Sequence, residues 1–330
     1  MPESPSRRLV AIASAVTLCV AGAGVGLAVS RSGHRAAPVG TTSITTSANP
    51  STTSVPATTT VPGPRPVRGL AVRATTTTFT DESRPVVSGG RTLAPVRSLP
   101  TTVWAPTPAG HYPLVVFVHG YDVGPSTYAR FCTQLASSGY VVAAPSFPLE
   151  DPSRGYGLDR GDLPNEATDV SFVIGEIERS SLAASLAPSE VAVVGHSDGA
   201  DVALMLGYVS GHIDPRIRAV VADAPDPISG TIQAGARTPL LLVQGDADDV
   251  VPYSSSQTVF AQLSSPRYYL TLLGATHLPP IVGGTQWTPV LDAAVAGFLD
   301  AEVAGRANPA ALPSELGSSA LGRLETAGIS

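Results

Sequence analysis

The sequence predicts an α/β protein built on a mostly parallel, doubly wound sheet. Three observations lead there: apolar strand-like runs alternate with helical patterns, several of those runs are unbroken, and one leads directly into Gly195-His196-Ser197-Asp198-Gly199. Alternation implies parallel pairing through right-handed crossovers. Unbroken apolar runs are typical of strands covered on both faces.

Thr101 to Trp104 and Leu114 to Val118 read as strands, Thr127 to Ser138 as a helix and Val141 to Ala144 as a further buried strand. Glu166 to Arg179 has helical spacing, with Asn165 placed as N-cap after Pro164. Strand Val191 to Val194, helix Ala200 to Tyr208 and strands Arg218 to Ala222 and Leu240 to Val243 follow. A helix from Ser254 to Leu263, strand Tyr268 to Leu272 and helix Pro289 to Ala304 complete the pattern.

This domain is expected over 67–304. Ahead of it, Arg7-Arg8 precedes an apolar run from Leu9 to Val29. Such a segment is an export signal, read over 1–37 either as a cleaved signal peptide or as a membrane anchor. Residues 38–66 are dominated by Thr, Ser and Pro. They bury too little apolar surface to offset their ordering entropy, so a disordered stalk is expected. The Ala/Gly/Ser-rich segment 305–330 reads as a flexible tail.

Composition narrows the function. Hydrophobic residues make up 43 % and charged residues 14 %, enough for a sizeable core, and the formal net charge is −6. No basic stretch offers a footprint for nucleic acid. Every basic residue other than histidine is Arg, which excludes Ser-Lys dyads, Schiff-base chemistry and a P-loop lysine. Cys19 lies in the apolar run and Cys132 stands alone on an amphipathic pattern, so neither a disulfide framework nor a metal site is indicated. No cofactor is implied, and a monomer is expected.

The G-x-S-x-G pentapeptide gains weight from its setting. A sharp strand-to-helix turn needs glycine on both flanks, raises the serine hydroxyl above the sheet and aims a helix N-terminus at it. A serine nucleophile needs a histidine base, which needs a carboxylate to fix its tautomer. In the α/β-hydrolase fold the chain order is Ser, acid, His. Asp248 and Asp249 follow the strand Leu240 to Val243, and His277 follows the strand from Tyr268. Asp223 and Asp226, after the preceding strand, are alternative acids. His196 reads as packing under the turn, and His34, His111 and His212 lack the required position.

The segments FVHGYDVGPSTYARF, GYVVAAPSFP, GHSDGA, GDADDVVP and GATH together resemble the bacterial dienelactone-hydrolase-like and chlorophyllase-like branch of the α/β-hydrolases. Secreted polyester hydrolases and cutinases are near relatives of that branch. The resemblance spans roughly Phe79 to Leu299. It implies Ser197 as nucleophile, His277 as base and Asp248 as acid, four residues before Pro252, with Asp249 second. His119-Gly120-Tyr121 matches the HG-x motif, which implies an oxyanion hole from the N–H groups of Tyr121 and Asp198. Dienelactone hydrolases use Cys as nucleophile, so Ser197 argues against that activity.

Asp198 replaces the apolar residue usual in relatives. With Asp201 it is read as complementing the helix dipole, the sharper alternative being selection against anionic substrates. The short span from Ser197 to Asp248 leaves no room for a lid domain, and the loop Glu150 to Pro164 is too short for a cap. An open cleft is expected, suited to lipid, polyester or cell-envelope esters. Envelope acyl transfer by the same residues and a non-catalytic surface-binding role are the competing readings.

Overall fold

The computed structural model describes residues 69–264, 266–316 and 319–328. The apolar run Leu9 to Val29, the segment 38–66 and Cys19 lie outside the described residues. Among the described residues, no helix is long and apolar enough to cross a membrane.

The chain opens with strand β1 (Val72–Asp81), the short hairpin strands β2 (Val86–Ser88) and β3 (Arg91–Ala94), β4 (Arg97–Pro106) and β5 (Tyr112–Val118). Helix α1 (Ala129–Ser137), β6 (Val141–Pro145), α2 (Leu163–Arg179), β7 (Leu186–His196), α3 (Asp198–Tyr208) and β8 (Ile217–Asp223) follow. Next come β9 (Leu240–Gly245), α4 (Tyr253–Gln262), β10 (Arg267–Leu272), the short α5 (Pro279–Val282) and α6 (Thr288–Glu302). The last elements are α7 (Leu312–Leu316) and β11 (Gly322–Ala327).

Nine strands form one sheet in the order β1-β4-β6-β5-β7-β8-β9-β10-β11. From β6 to β10 every neighbouring pair is parallel. β4 runs antiparallel to both β1 and β6, and β11 antiparallel to β10. This is the α/β-hydrolase architecture expected from the alternating pattern.

The apolar runs sort by alternation. Leu114, Val116 and Val118 of β5 join a core with Val170 and Ile174 of α2 and Ala203 and Leu206 of α3. Val115 and Phe117 face the other way, onto Phe131 and Leu135 of α1 and Leu291 and Phe298 of α6. Successive strand residues point to opposite faces, so a strand packed on both sides must be apolar throughout. All seven residues of β5 are accordingly buried.

Two expectations change. Helix α2 begins at Leu163, not after Asn165, whose side chain instead donates to Asp162 Oδ1 at 2.7 Å. Pro164 has no N–H to lose and fits the first turn, so the helix starts ahead of the proline. Within the segment expected to be a flexible tail, β11 pairs along all of β10 and Leu312 is fully buried. The open edge of β10 explains it, since unpaired strand edges are normally covered.

Candidate active site

β7 and α3 meet at Ser197, which adopts φ 57° and ψ −128°. A positive φ at a serine is strained, by about 1–3 kcal/mol, and needs surroundings that enforce it. The flanking glycines do so: a Cβ on Gly195 would strike the Gly199 carbonyl, and one on Gly199 the Val118 carbonyl. Hydrogen bonds lock the turn from both sides. The Ser197 N–H donates to the Asp223 carbonyl at 2.9 Å, and the Ala200 N–H to the Ser197 carbonyl at 2.7 Å. Ser197 is partly exposed while its neighbours are buried.

His277 lies in the loop after β10 and Asp248 in the loop after β9. His277 Nδ1 stands 2.9 Å from Asp248 Oδ2. Asp248 Oδ1 accepts from the N–H groups of Val250 and Val251, each at 2.9 Å, and Gln244 Nε2 approaches Oδ2 at 3.3 Å. Burial pushes the Asp248 carboxyl up, but hydrogen bonds from His277, Val250 and Val251 outweigh it and hold it below the usual carboxylate range. Asp248 is therefore the ionised acceptor and His277 Nδ1 the donor, which leaves Nε2 with a lone pair.

The other acids fall elsewhere. Asp249 is exposed. Asp223 is buried, and that burial, aided by Asp248 and opposed by His277, raises its pKa to about 7. Asp226 accepts from Arg160 Nη2 at 2.9 Å.

Gly120 packs directly on the elbow; a Cβ there would lie 2.9 Å from Ser197 Cβ. His119 holds this loop, with Nδ1 3.0 Å from the Gly120 carbonyl and Nε2 accepting the Phe147 N–H at 3.2 Å. Burial lowers the His119 pKa to about 4, so the ring is neutral and fits that donor and acceptor pair. The Tyr121 side chain is 41 % exposed.

The Asp198 carboxylate is engaged by Arg160, through Nε to Oδ2 at 2.7 Å and Nη2 to Oδ1 at 2.6 Å. Asp198, Asp201 and Asp226 bring carboxylate oxygens within 4.8 Å of one another. The same Arg160 nitrogen lies 3.7 Å from Asp201 Oδ2, so a guanidinium supplies the cation for this acidic group. Cys132 is fully buried and burial pushes its thiol pKa up, which makes it core rather than nucleophile.

Sequence reading missed several partners. Arg160 belongs to a loop with no motif, and its role follows only from the fold. His196, read as packing, makes contacts through both ring nitrogens: Nδ1 to Tyr128 Oη at 3.0 Å and Nε2 to the His277 carbonyl at 3.2 Å. Its ring also lies 4.6 Å from that of His277. Chemically, the site combines a partly exposed serine, an imidazole oriented by a carboxylate and backbone N–H groups at a helix start. That combination suits acyl transfer.

A family model described as Chlorophyllase matches residues 77–247. That span contains the Gly120 loop and Ser197 and stops just short of Asp248. Chlorophyllase type 0 of Chenopodium album is 28 % identical over 147 residues, 40 % of this chain and 39 % of that protein. A Nocardia uniformis subsp. tsuyamanensis protein named as esterase NocK is 28 % identical over 196 residues, 58 % of this chain and 55 % of its own length. Cutinase est1 of Thermobifida alba is 28 % identical over 185 residues, 54 % of this chain and 58 % of that protein. The chain thus spans from about two fifths to three fifths of the length of these relatives. With the family model covering more than half of its residues, the chain belongs to the chlorophyllase family, within the α/β-hydrolase fold.

Proposed function

We propose that this protein is an exported serine hydrolase that cleaves carboxylic esters through an acyl-enzyme on Ser197. The observation that carries the reading is His277 Nδ1 at 2.9 Å from Asp248 Oδ2, in a fold that also holds Ser197 at positive φ between β7 and α3. The relatives named as chlorophyllase, esterase and cutinase support ester hydrolysis as the reaction class.

In this scheme His277 Nε2 takes the Ser197 hydroxyl proton as Oγ attacks the ester carbonyl carbon. The carbonyl oxygen becomes an oxyanion, met by the N–H groups of Tyr121 and Asp198. The carbon–oxygen bond to the alcohol then breaks, and the alcohol departs with the proton from Nε2. Water attacks the acyl-enzyme, gives its proton to Nε2 and releases the acid, and Ser197 recovers its proton. Asp248 stays ionised throughout and stabilises the transient imidazolium.

The exposed side chains of Tyr121 and Val250, the latter 65 % exposed, stand in the two loops bearing the oxyanion hole and the acid. Exposed apolar groups in these loops favour bulky apolar esters: a lipid, a polyester or an ester of the cell envelope. Arg7-Arg8 and the apolar run behind them support export or attachment at the outer face of the membrane.

The test is hydrolysis of p-nitrophenyl esters from acetate to palmitate by the purified protein and by Ser197→Ala. Turnover that disappears in the variant, with preference for longer acyl chains, is the expected result. A folded wild-type protein without turnover on any of the esters would overturn the reading.

A further inference from the structure

Two buried side chains that the acyl-transfer scheme leaves idle connect its separate loops. Tyr128, just before α1, is 0 % exposed, and His196, the last residue of β7, is 1 % exposed. The Gly120 N–H donates to Tyr128 Oη at 3.3 Å. Tyr128 Oη lies 3.0 Å from His196 Nδ1, and His196 Nε2 lies 3.2 Å from the carbonyl oxygen of His277.

Proton accounting along this chain has one solution. A carbonyl oxygen only accepts, so His196 Nε2 must carry a hydrogen and donate it to His277. Burial, with His277 adding to it, lowers the His196 pKa to about 3, and the ring is neutral. Nδ1 is then a bare acceptor, which Tyr128 fills with its only hydroxyl proton. Burial raises the Tyr128 pKa, so that proton is retained, and the phenol oxygen is free to accept from Gly120. The chain runs in one direction, from Gly120 through Tyr128 and His196 to His277. The ionisable groups facing it are His277 and Asp248 toward His196, and Asp223, Asp198 and Cys132 toward Tyr128.

We propose that Tyr128 and His196 form a positioning relay that holds the backbone of the base, His277, in register with the oxyanion loop at Gly120-Tyr121. The proposal rests on the acyl-transfer reading above. Neither side chain needs to touch substrate. The two loops leave the sheet after β10 and after β5, and β7 lies between β5 and β8 in the strand order. His196, next to Ser197 in the chain, is thus placed to reach both. Its neutrality also keeps a second cation away from His277 when that ring becomes protonated.

The experiment uses the full chain, with Tyr128→Phe, His196→Gln, His196→Ala and the Tyr128→Phe/His196→Gln double variant. Phe keeps the ring and removes the hydroxyl. Gln keeps a donor able to reach His277 and lacks the Nδ1 acceptor. Labelling of Ser197 by a fluorophosphonate probe is followed with kcat and KM for p-nitrophenyl acetate. Tyr128→Phe is expected to lower labelling rate and kcat by about 10-fold or more, with KM within roughly twofold. His196→Gln should retain more activity than His196→Ala, and the double variant should be no worse than Tyr128→Phe alone. Nitrogen NMR of the wild-type ring should show His196 protonated at Nε2 only, without titration between about pH 5 and 9.

A protonated Nδ1, a titration in that range, wild-type labelling rates in the variants or strictly additive losses would each overturn the relay. Should wild-type Ser197 resist the probe, the acyl-transfer reading fails and takes the relay with it. Labelled wild type with unaffected variants sinks the relay alone. If Tyr128→Phe does not fold, the ring-nitrogen spectrum of the wild type decides.

Discussion

Arg160 grips the Asp198 carboxylate with two hydrogen bonds, Nε to Oδ2 at 2.7 Å and Nη2 to Oδ1 at 2.6 Å, one residue beyond Ser197. A guanidinium matches a carboxylate in this forked geometry, which fixes orientation as well as distance. The Asp198 side chain is 6 % exposed and that of Arg160 is 50 % exposed, so a solvent-facing loop reaches in to hold the first residue of α3. The charge of Asp198 is therefore paired within the protein, by a guanidinium that also faces Asp201 and Asp226.

Arg160→Lys should lower kcat by about 10-fold or more, because a point charge cannot hold the carboxylate at two oxygens and the Asp198 N–H loses its aim. Its melting temperature should barely move, since half-exposed ion pairs contribute little to stability. Steady-state kinetics beside a thermal melt separates the two effects. Equal, small losses in both would make Arg160 a surface charge only.

Asp248→Asn should cut kcat by about 10^4-fold by favouring the wrong imidazole tautomer while keeping the shape of the site. Asp249→Asn and Asp223→Asn should leave turnover largely intact, because Asp249 is exposed and Asp223 does not contact the ring nitrogen that Asp248 occupies. Kinetics of the three variants on one ester assigns the acid. A collapse in Asp223→Asn with survival of Asp248→Asn would reverse the assignment.

What the sequence discloses and what it hides divides by range. The parallel strands are legible because burial on both faces demands continuous apolar residues, as in YPLVVFV of β5. The elbow is legible because its glycines are required by local collisions. Long-range pairings are not. His196 looks like packing because its two partners, Tyr128 and His277, stand 68 and 81 positions away. β1 is hidden in a Thr-rich, largely exposed stretch that shows little apolar signal. Arg97, fully buried between Asp162 and Asp169, reads as any surface arginine until the fold closes around it.

Removal of residues 306–330 should lower stability and promote association. It would uncover the β10 edge, now paired with β11 from Arg267↔Ala327 to Leu272↔Gly322, and discard the buried Leu312. Leu312→Ala alone should cost about 2–5 kcal/mol if the site cannot collapse around it. Chemical denaturation of that variant, and light scattering of the truncated chain, provide the readouts. A truncated chain as stable and monodisperse as the full one would show that β11 only decorates the sheet.

Alkaline pH should destabilise the fold through two buried glutamates. Glu150 and Glu166 are fully buried, and none of their carboxyl oxygens has a hydrogen-bond partner. Burial, reinforced by Asp198, Asp162 and Asp201 and only partly offset by Arg160, raises the Glu150 pKa from 4.5 to about 9. Burial also raises Glu166 well above its ordinary value, with Glu150 among the contributors. The folded protein therefore holds protons that the unfolded chain has already released. Between 4.5 and about 9 the unfolded state binds fewer protons, so stability falls as pH rises across that window. The contribution is complete below 4.5 and is lost as pH passes through about 9. Glu150→Gln keeps the shape of the side chain and cannot ionise. Its melting temperature should decline less between about pH 5 and 8.5 than that of the wild type, and at the upper value the variant should be the more stable protein. Thermal melts at both pH values test this. Parallel declines in the two proteins would mean that Glu150 already ionises in the fold, with a solvent path or a counterion sustaining the charge.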